Sequence, residues 1–150
     1  MSEGKLIHVE DLEWDEWSRG ERLGGRTKAL GRAAGAEHVG VLLEELPPGK
    51  QSTIPHFHTR EEEHLFVLEG EAFLCWGDEE HQLTPGSYVC FPAGDPRAHY
   101  LVNRGTVDCR YIVVGERNPN DVVVYPDDDR MWVRALRTLY HTHPANWDDE

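Results

Sequence analysis

Hydrophobic residues between positions 38 and 115 recur in short runs, and each run is ended by a polar turn. The runs include HLFVLE, EAFLCW, SYVCF and VDCRYIVVG, and the turns between them include GDEE, PG and RG. Branched and aromatic residues are common in these runs, which is typical of strands that pack one face against a core. Many short strands at close and regular spacing predict an all-β sandwich or barrel.

The N-terminal flank, residues 1–37, carries a weaker pattern. Trp14 and Trp17 are spaced either for one face of a short helix or for a loop that caps an end of the barrel. The glycine-rich stretch after them predicts a hairpin of two extended pieces, joined near Ala33 to Glu37. Neither pattern implies a ligand.

The C-terminal flank, residues 116–150, predicts one strand and one helix. Val122 to Tyr125 is expected to form an edge strand, because Pro126 and an acidic run stop it. The stretch MWVRALRTLY has helical spacing, with three arginines on the side opposite its apolar residues. We predict that these arginines form a solvated face, and the alternative is a phosphate-binding role. They are Arg130, Arg134 and Arg137. His141 and His143 form a His-x-His with no glutamate or strand after it, and we interpret it as a decoy in a polar tail.

Length and charge narrow the class of protein. A chain of 150 residues is expected to form one domain with a single core. A net charge of −13 argues against nucleic acid and anionic membranes as partners, since both call for a basic patch. The three cysteines lack CxxC spacing and lie in apolar runs, so we expect them to be reduced. With no secretory signal or spanning apolar run, the expected location is cytoplasmic.

The stretch PHFHTREEEHLFVLEG has the pattern of a metal site. His56 and His58 share parity, so on an extended backbone both imidazoles point to the same face. The chain then turns through a run of three glutamates into a strand that Gly70 ends. Two imidazoles on one face are the beginning of a ligand set.

These residues resemble the two motifs of the cupin superfamily. The first motif is matched by a glycine, the His-x-His, a glutamate and a closing glycine, and the second lies in GSYVCFPAGDPRAHYLVN. The matching positions are Gly49, His56, His58, Glu63 and Gly70, followed by Gly86, Pro92, Gly94, His99 and Asn103. One departure is the four residues between Gly94 and His99, where the family pattern is shorter. The lengthened loop is expected to reshape the mouth of the site.

The resemblance implies a double-stranded β-helix, the jelly-roll barrel of the cupins. The barrel core would span residues 38–115, with residues 1–37 as an N-terminal extension packed on it and residues 116–150 as a C-terminal extension. Both flanks are similar to a subgroup of small single-domain cupins with an LG-containing N-terminal extension and a DVVVYPD-like stretch. A homodimer is also implied, and the N-terminal strands could pair with a neighbour's sheet edge.

By the same resemblance, the metal ligands would be His56, His58, Glu63 and His99. Three imidazoles and one carboxylate suit one divalent transition metal such as Mn, Fe, Ni, Cu or Zn. Glu62 competes with Glu63 for the ligand position, and the six residues between Glu63 and Gly70 favour Glu63. The alternative is a barrel that keeps these polar residues but has lost its metal.

Three functions are compatible with such a site. The first is an enzyme acting on a small oxygen-rich molecule, with the sugar or sugar-phosphate isomerases as the cupin branch to compare. The others are a dioxygenase or decarboxylase that uses Fe, Mn or Cu, and a non-catalytic module that binds a small ligand or a metal. No catalytic residue is identified, but two are candidates. Glu62 is a candidate base, with a tyrosine as the alternative. Arg97 could receive an anionic substrate at the mouth, unless it only pairs with Asp95 or solvent.

Overall fold

The computed structural model describes residues 2–143, 145 and 148. These residues form an all-β structure with very little helix, as the alternating pattern predicts. The strands are β1 (Asp15–Arg19), β2 (Leu23–Ala29), β3 (Val39–Leu46), β4 (Phe57–His58), β5 (Glu63–Glu69), β6 (Ala72–Trp76), β7 (Glu79–Leu83), β8 (Tyr88–Phe91), β9 (His99–Val102), β10 (Cys109–Glu116), β11 (Val122–Tyr125), β12 (Arg130–Val133) and β13 (Thr138–His141). The helices are α1 (Leu30–Ala33) and the 3-10 turns Val9–Asp11, Pro126–Asp128 and Arg134–Leu136. No helix in the described residues is long and apolar enough to cross a membrane.

The strands pair in antiparallel order in three sheets. The largest has the order β1-β2-β3-β10-β5-β8, the second β13-β12-β11-β4 and the smallest β7-β6-β9. Strand β10 lies between β3 and β5, so strands distant in the chain become neighbours in the sheet. This crossing order is that of a jelly roll, in which sheets face each other across one core.

The core follows the alternation along each strand. In β5, Leu65 and Val67 are buried, whereas Phe66 and Leu68 between and after them are 43% and 40% exposed. Each fully buried aliphatic side chain contributes about 1.5–3 kcal/mol relative to an exposed one. The buried cluster also includes Leu46, Leu74, Phe91, Leu101 and Tyr111. Because Glu63 shares the parity of Leu65, the same alternation directs this carboxylate into the barrel.

The hairpin predicted in the N-terminal flank is confirmed. Strands β2 and β3 pair in antiparallel register, and the four-residue helix α1 lies in their connection. The helical alternative for the two tryptophans is wrong, since Trp17 lies in strand β1. Trp17 is opposite Gly25 of β2, where the missing side chain leaves room for the indole ring.

The C-terminal helix predicted over MWVRALRTLY is wrong, because this stretch forms the hairpin of β12 and β13. Trp132 and Leu139, which a helix would place on one side, are instead direct partners across the hairpin. Arg137 has a φ of 49° at the turn, which a continuous helix does not allow. Strand β11 is not an edge strand either, since it pairs with β12 on one side and β4 on the other.

The N-terminal strands pair within their own chain. Strand β1 pairs with β2, which pairs with β3 of the barrel, so β1 becomes one edge of the six-stranded sheet. The opposite edge is β8. The homodimer stays a prediction.

Replacing Gly70 by alanine is expected to destabilise the fold more than the same change at Gly86. Both glycines have positive φ angles, of 74° and 92°, where alanine costs about 1–2 kcal/mol. A β-carbon at Gly70 would also collide with the carbonyl oxygen of Asp108, whereas at Gly86 it would meet nothing within 4 Å. We expect Gly70→Ala to lower the free energy of unfolding in urea by about 3 kcal/mol or more. Equal losses in the two variants would contradict the close packing around Gly70.

Candidate metal centre

Each of the three sheets contributes a polar side chain to one place in the barrel. His58 ends the short strand β4, Glu63 begins β5 and His99 begins β9. His56 precedes β4, and its carbonyl oxygen accepts a hydrogen bond of 3.0 Å from the backbone N–H of His99. The predicted ligand residues therefore come together although they belong to different sheets.

The carboxylate of Glu63 lies between two imidazoles. Its Oε2 is 3.4 Å from Nε2 of His58, and its Oε1 is 3.3 Å from Nε2 of His99. The ring of His56 is centred 5.2 Å from that of His58 and 4.7 Å from that of His99. One donor atom each of His56, His58 and Glu63 lies within 4.8 Å of the other two. His99 is not part of this group of three but adjoins it through its contact with Glu63.

Hydrogen bonds set the orientation of two of the three imidazoles. Nδ1 of His56 lies 2.9 Å from the carbonyl oxygen of Ile54, and Nδ1 of His58 lies 2.7 Å from Oδ2 of Asp121. Both partners can only accept, so Nδ1 carries a proton in each ring and Nε2 remains to bind a metal. The ring of His99 is held by stacking on Phe91 at 3.7 Å between centroids.

The donor set fits a divalent transition metal. Three Nε2 atoms and a carboxylate are ligands of intermediate softness, and a carboxylate or carbonyl behind a ligand histidine is the usual support at such sites. This arrangement has the features of a candidate His/Glu metal site.

The charges in the metal-free site favour a cation at its centre. Burial, together with His99, lowers the pKa of His56 to about 4, so this imidazole is neutral at pH 7. Burial opposes charge on His58, but hydrogen bonds to Glu63 and Asp121 outweigh it and raise the pKa of His58 to about 9. Burial is likewise outweighed at Glu63, where hydrogen bonds from His58 and His99 hold the carboxyl pKa well below its usual range. A metal ion would take the place of the positive charge that His58 carries without it.

Asp121 is a residue of the candidate site that the sequence reasoning missed. It is fully buried at the start of the DVVVYPD stretch. Its Oδ1 accepts hydrogen bonds from the backbone N–H groups of Arg60 and Glu61, at 2.9 and 3.2 Å, while Oδ2 faces His58. The contact joins residues 63 positions apart. The only signal was an aspartate placed immediately before an apolar strand.

Glu61 and Arg134 form a second link between the barrel and the C-terminal extension. Glu61 is buried, and it accepts hydrogen bonds from the guanidinium of Arg134 and, at 2.7 Å, from the backbone N–H of Asn118. Arg134 is therefore paired with a buried carboxylate, and the predicted arginine face does not exist. Hydrogen bonds of two buried carboxylates, Asp121 and Glu61, therefore hold the C-terminal extension against the barrel next to His58.

A cavity of about 180 Å³ adjoins the site, and His56, Glu63 and His99 form part of its wall. Glu44 of β3 and Tyr111 of β10 also line it, and the two lie opposite each other in the paired strands. The sequence reasoning missed Glu44 as well. Its signal was parity, since Glu44 shares the parity of apolar Leu42 and Leu46 and so lies on the same face of β3.

The carboxyl group of Glu44 differs from that of Glu63 in its protonation. Burial raises the pKa of Glu44 to about 7, against the opposing effect of a hydrogen bond from Thr27, and the charge of Glu63 adds to the rise. Oγ1 of Thr27 donates that bond at 2.7 Å. The cavity thus holds one ionised carboxylate and one carboxyl group that changes its protonation near neutral pH.

Comparisons with known proteins agree with this architecture. A family model of the cupin domain matches residues 42–115. A sugar phosphate isomerase from a cupin superfamily of Silicibacter pomeroyi is 30% identical, with a TM-score of 0.82 over 96% of this chain and 98% of its own. A candidate sugar phosphate isomerase from Acidithiobacillus ferrooxidans is 30% identical, with a TM-score of 0.82 over 90% of this chain and 89% of its own.

The chain belongs to the cupin superfamily. Auxin-binding protein 1 of Arabidopsis thaliana is also similar, at 27% identity over 151 aligned residues that cover 95% of this chain and 72% of the relative. The resemblance seen in the two sequence motifs is therefore confirmed, and the match spans a single cupin barrel.

The two residues predicted as catalytic candidates lie outside the wall of this cupin's cavity. The carboxylate of Glu62 is 2.7 Å from Nε2 of His64, on the opposite face of β5 from Glu63. Arg97 binds Asp95 through two nitrogens and lies 3.8 Å above the ring of Trp76. It lines a surface groove that shares Tyr100 with the cavity.

The second His-x-His is not part of the candidate centre. His141 ends β13 opposite Arg130, and the side chains of His141 and His143 are exposed. Neither belongs to a cluster of possible metal ligands within the described part of the chain.

Replacing Asp121 by asparagine is expected to weaken metal binding about 10- to 100-fold. If the asparagine oxygen keeps the two backbone hydrogen bonds, its amide group faces His58 and places the proton of that ring on Nε2. The affinity for Zn²⁺ would be measured by competition with a chromophoric chelator. Asp128→Asn is the control, since Asp128 pairs with Arg130 in the same extension. Unchanged affinity in a folded Asp121→Asn protein would show that Asp121 does not support the metal.

Replacing Glu44 by glutamine is expected to stabilise the metal-free protein at pH 8. The pKa of the Glu44 carboxyl group is about 7 in the folded state, and its ordinary value is 4.5. At a pH between these two values unfolding releases a proton, so the free energy of unfolding of wild type falls as the pH rises. Glutamine does not titrate. The difference in free energy of unfolding between Glu44→Gln and wild type should therefore grow from pH 5 to pH 8, towards an upper limit of about 3 kcal/mol. Urea unfolding with a chelator present measures it, with Glu80→Gln as an exposed control. Parallel pH profiles for wild type and Glu44→Gln would contradict the assignment.

Proposed function

We propose that this cupin is a metal-dependent enzyme that isomerises a small hydroxy-carbonyl compound of the sugar class. The observation that carries the proposal is that three of the proposed ligands, His56, Glu63 and His99, line one cavity together with the carboxyl group of Glu44. An aldose–ketose isomerisation needs a polarised carbonyl group and a residue that moves a proton between neighbouring carbons. Two relatives at 30% identity that carry the sugar phosphate isomerase name support this choice over the other cupin reactions.

The proposed ligands are His56, His58, Glu63 and His99. A divalent ion bound there would supply a Lewis acid for the carbonyl and hydroxyl oxygens of the substrate. The protein supplies the orientation, because Ile54 and Asp121 hold two of the imidazole rings. The buried apolar wall excludes water, which strengthens every charge interaction inside the cavity.

Glu44 is the proposed proton carrier. In its ionised form it would take the proton from the carbon that bears the hydroxyl group and return it to the former carbonyl carbon. The hydroxyl proton would pass to the former carbonyl oxygen, so the product is an isomer with the same atoms as the substrate. A pKa near the working pH suits a group that must both accept and release a proton. Burial raises the pKa of Tyr111 well above its usual value, so its hydroxyl group stays protonated and can donate a hydrogen bond to the substrate.

The cavity limits the substrate by size and charge. Its volume of about 180 Å³ is below the ~300–1,000 Å³ typical of sites for drug-sized ligands, so a short carbon chain fits best. No lysine or arginine lines it in the described part of the chain, so the enclosed end of the substrate should be uncharged. A phosphate group, if the substrate has one, would lie in the adjoining groove beside Arg97.

The proposal can be tested by proton exchange in D₂O. Short aldoses and ketoses, with and without a phosphate group, would be incubated with metal-loaded protein and followed by NMR for isomerisation and deuterium uptake beside the carbonyl. We expect turnover with wild type, at least about 100-fold less with Glu44→Gln, and none with His58→Ala or chelated protein.

Other results would reject the isomerase. Oxygen consumption with a hydroxy-carbonyl or carboxylate compound, but no exchange, would indicate a dioxygenase. Metal-dependent binding without any turnover would indicate a module that only holds its ligand.

The same assay tests the place of the phosphate. Arg97→Ala should raise KM for phosphorylated compounds and leave unphosphorylated ones unchanged. Arg104→Ala is the matched control, since Arg104 is an exposed arginine paired with Glu80 over an aromatic ring. Equal effects on both substrate classes would remove Arg97 from substrate recognition.

A further inference from the structure

A second group of metal-binding side chains lies on the outer face of the barrel. Its members are Glu62, which directly precedes β5, His64 of β5 and Cys90 of β8. His64 and Cys90 are direct partners in the antiparallel pairing of these strands, so both side chains lie on the same face of the sheet. This face is opposite to Glu63, because His64 follows Glu63 and strand residues alternate.

The three donors are close enough for one ion. One ligand atom from each side chain lies within 4.8 Å of the other two. They differ in chemistry, since a carboxylate, an imidazole and a thiol contribute one donor each. This mixture, unlike a group of carboxylates alone, matches the ligands of zinc and similar ions.

Tyr88 prepares the imidazole of His64 for metal binding. The Tyr88 hydroxyl group lies 2.5 Å from Nδ1 of His64, and the two rings are stacked at 5.9 Å. In the metal-free protein Nε2 donates a hydrogen bond to the carboxylate of Glu62 at 2.7 Å. Nε2 becomes free to bind an ion when the ring proton lies on Nδ1, where the Tyr88 hydroxyl oxygen can accept it. A hydrogen bond to the second ring nitrogen is the support that ligand histidines usually have.

The group is open to solvent. The side chains of His64 and Glu62 are 33% and 46% exposed, and β8 is an edge strand. Cys90 is a half-buried free thiol, whereas Cys75 and Cys109 are buried in the core. An ion can therefore reach Cys90 without any movement of the barrel.

We propose that Glu62, His64 and Cys90 form a second divalent metal site that prefers Zn²⁺ or another ion with affinity for thiolate. On binding, the Cys90 thiol loses its proton to solvent, and the ring proton of His64 passes from Nε2 to Nδ1 by exchange with solvent. Sulfur and Nε2 then each donate an electron pair to the ion, which displaces the hydrogen bond between Glu62 and His64. Three protein ligands leave one tetrahedral position for water or an exogenous donor. The site stands independently of the proposed isomerase, since it shares no ligand with the barrel centre.

Cobalt spectroscopy separates the two sites, because only the outer one has a sulfur ligand. Co²⁺ added to reduced wild-type protein should give the near-ultraviolet charge-transfer absorption of a cobalt–thiolate bond. We expect His58→Ala to keep this band, Cys90→Ser and His64→Ala to lose it, and Cys75→Ser to keep it. Tyr88→Phe should retain the band but require about 10- to 100-fold more Co²⁺.

Zinc stoichiometry gives an independent measure. Wild type should bind one more equivalent of Zn²⁺ than Cys90→Ser, and His58→Ala should keep the equivalent that Cys90→Ser loses. Circular dichroism would check that each variant is folded. The absence of a thiolate band in wild type, or a band that survives in Cys90→Ser, would overturn the proposal whatever the barrel centre binds.

Discussion

The buried carboxylate of Asp121 is the contact on which the candidate metal centre depends. A carboxylate without exposure to water is costly unless hydrogen bonds replace its hydration. Three donors do so here, the backbone N–H groups of Arg60 and Glu61 and the ring of His58. The same bonds hold the loop after His58 against the C-terminal extension. The extension is thus a structural part of the centre rather than an addition to a complete barrel.

The other buried carboxyl groups show how the number of donors sets the charge. Glu63 has two imidazoles as partners, and its pKa falls well below the usual range in spite of burial. Glu44 has the single hydroxyl group of Thr27, and burial raises its pKa to about 7. One cavity therefore holds a carboxylate suited to binding a cation and a carboxyl group suited to carrying a proton. Such a separation of roles between two acidic groups is a common way to assign acid–base chemistry.

Alternation along a single strand gives β5 two different polar faces. Glu63 points into the barrel beside His99, and His64 points outward beside Cys90. Both arrangements depend on the tertiary structure, because the partners come from β9 of another sheet and from β8, the neighbour of β5. The outer cluster could not be recognised from sequence, since 25 residues lie between His64 and Cys90 and neither occupies one of the matching positions of the cupin motifs.

The sequence by itself determined the barrel strands and the identity of the candidate ligands. Period-two alternation is a local property that each strand carries on its own, and the cupin motifs keep their order along the chain. The tertiary structure alone decided the C-terminal fold, because the spacing of Trp132 and Leu139 suits both a helix and a hairpin, and pairing with β11 selects the hairpin. It also decided the roles of Asp121 and Glu44, since burial and hydrogen bonds between distant strands set their charges, and local sequence contains neither.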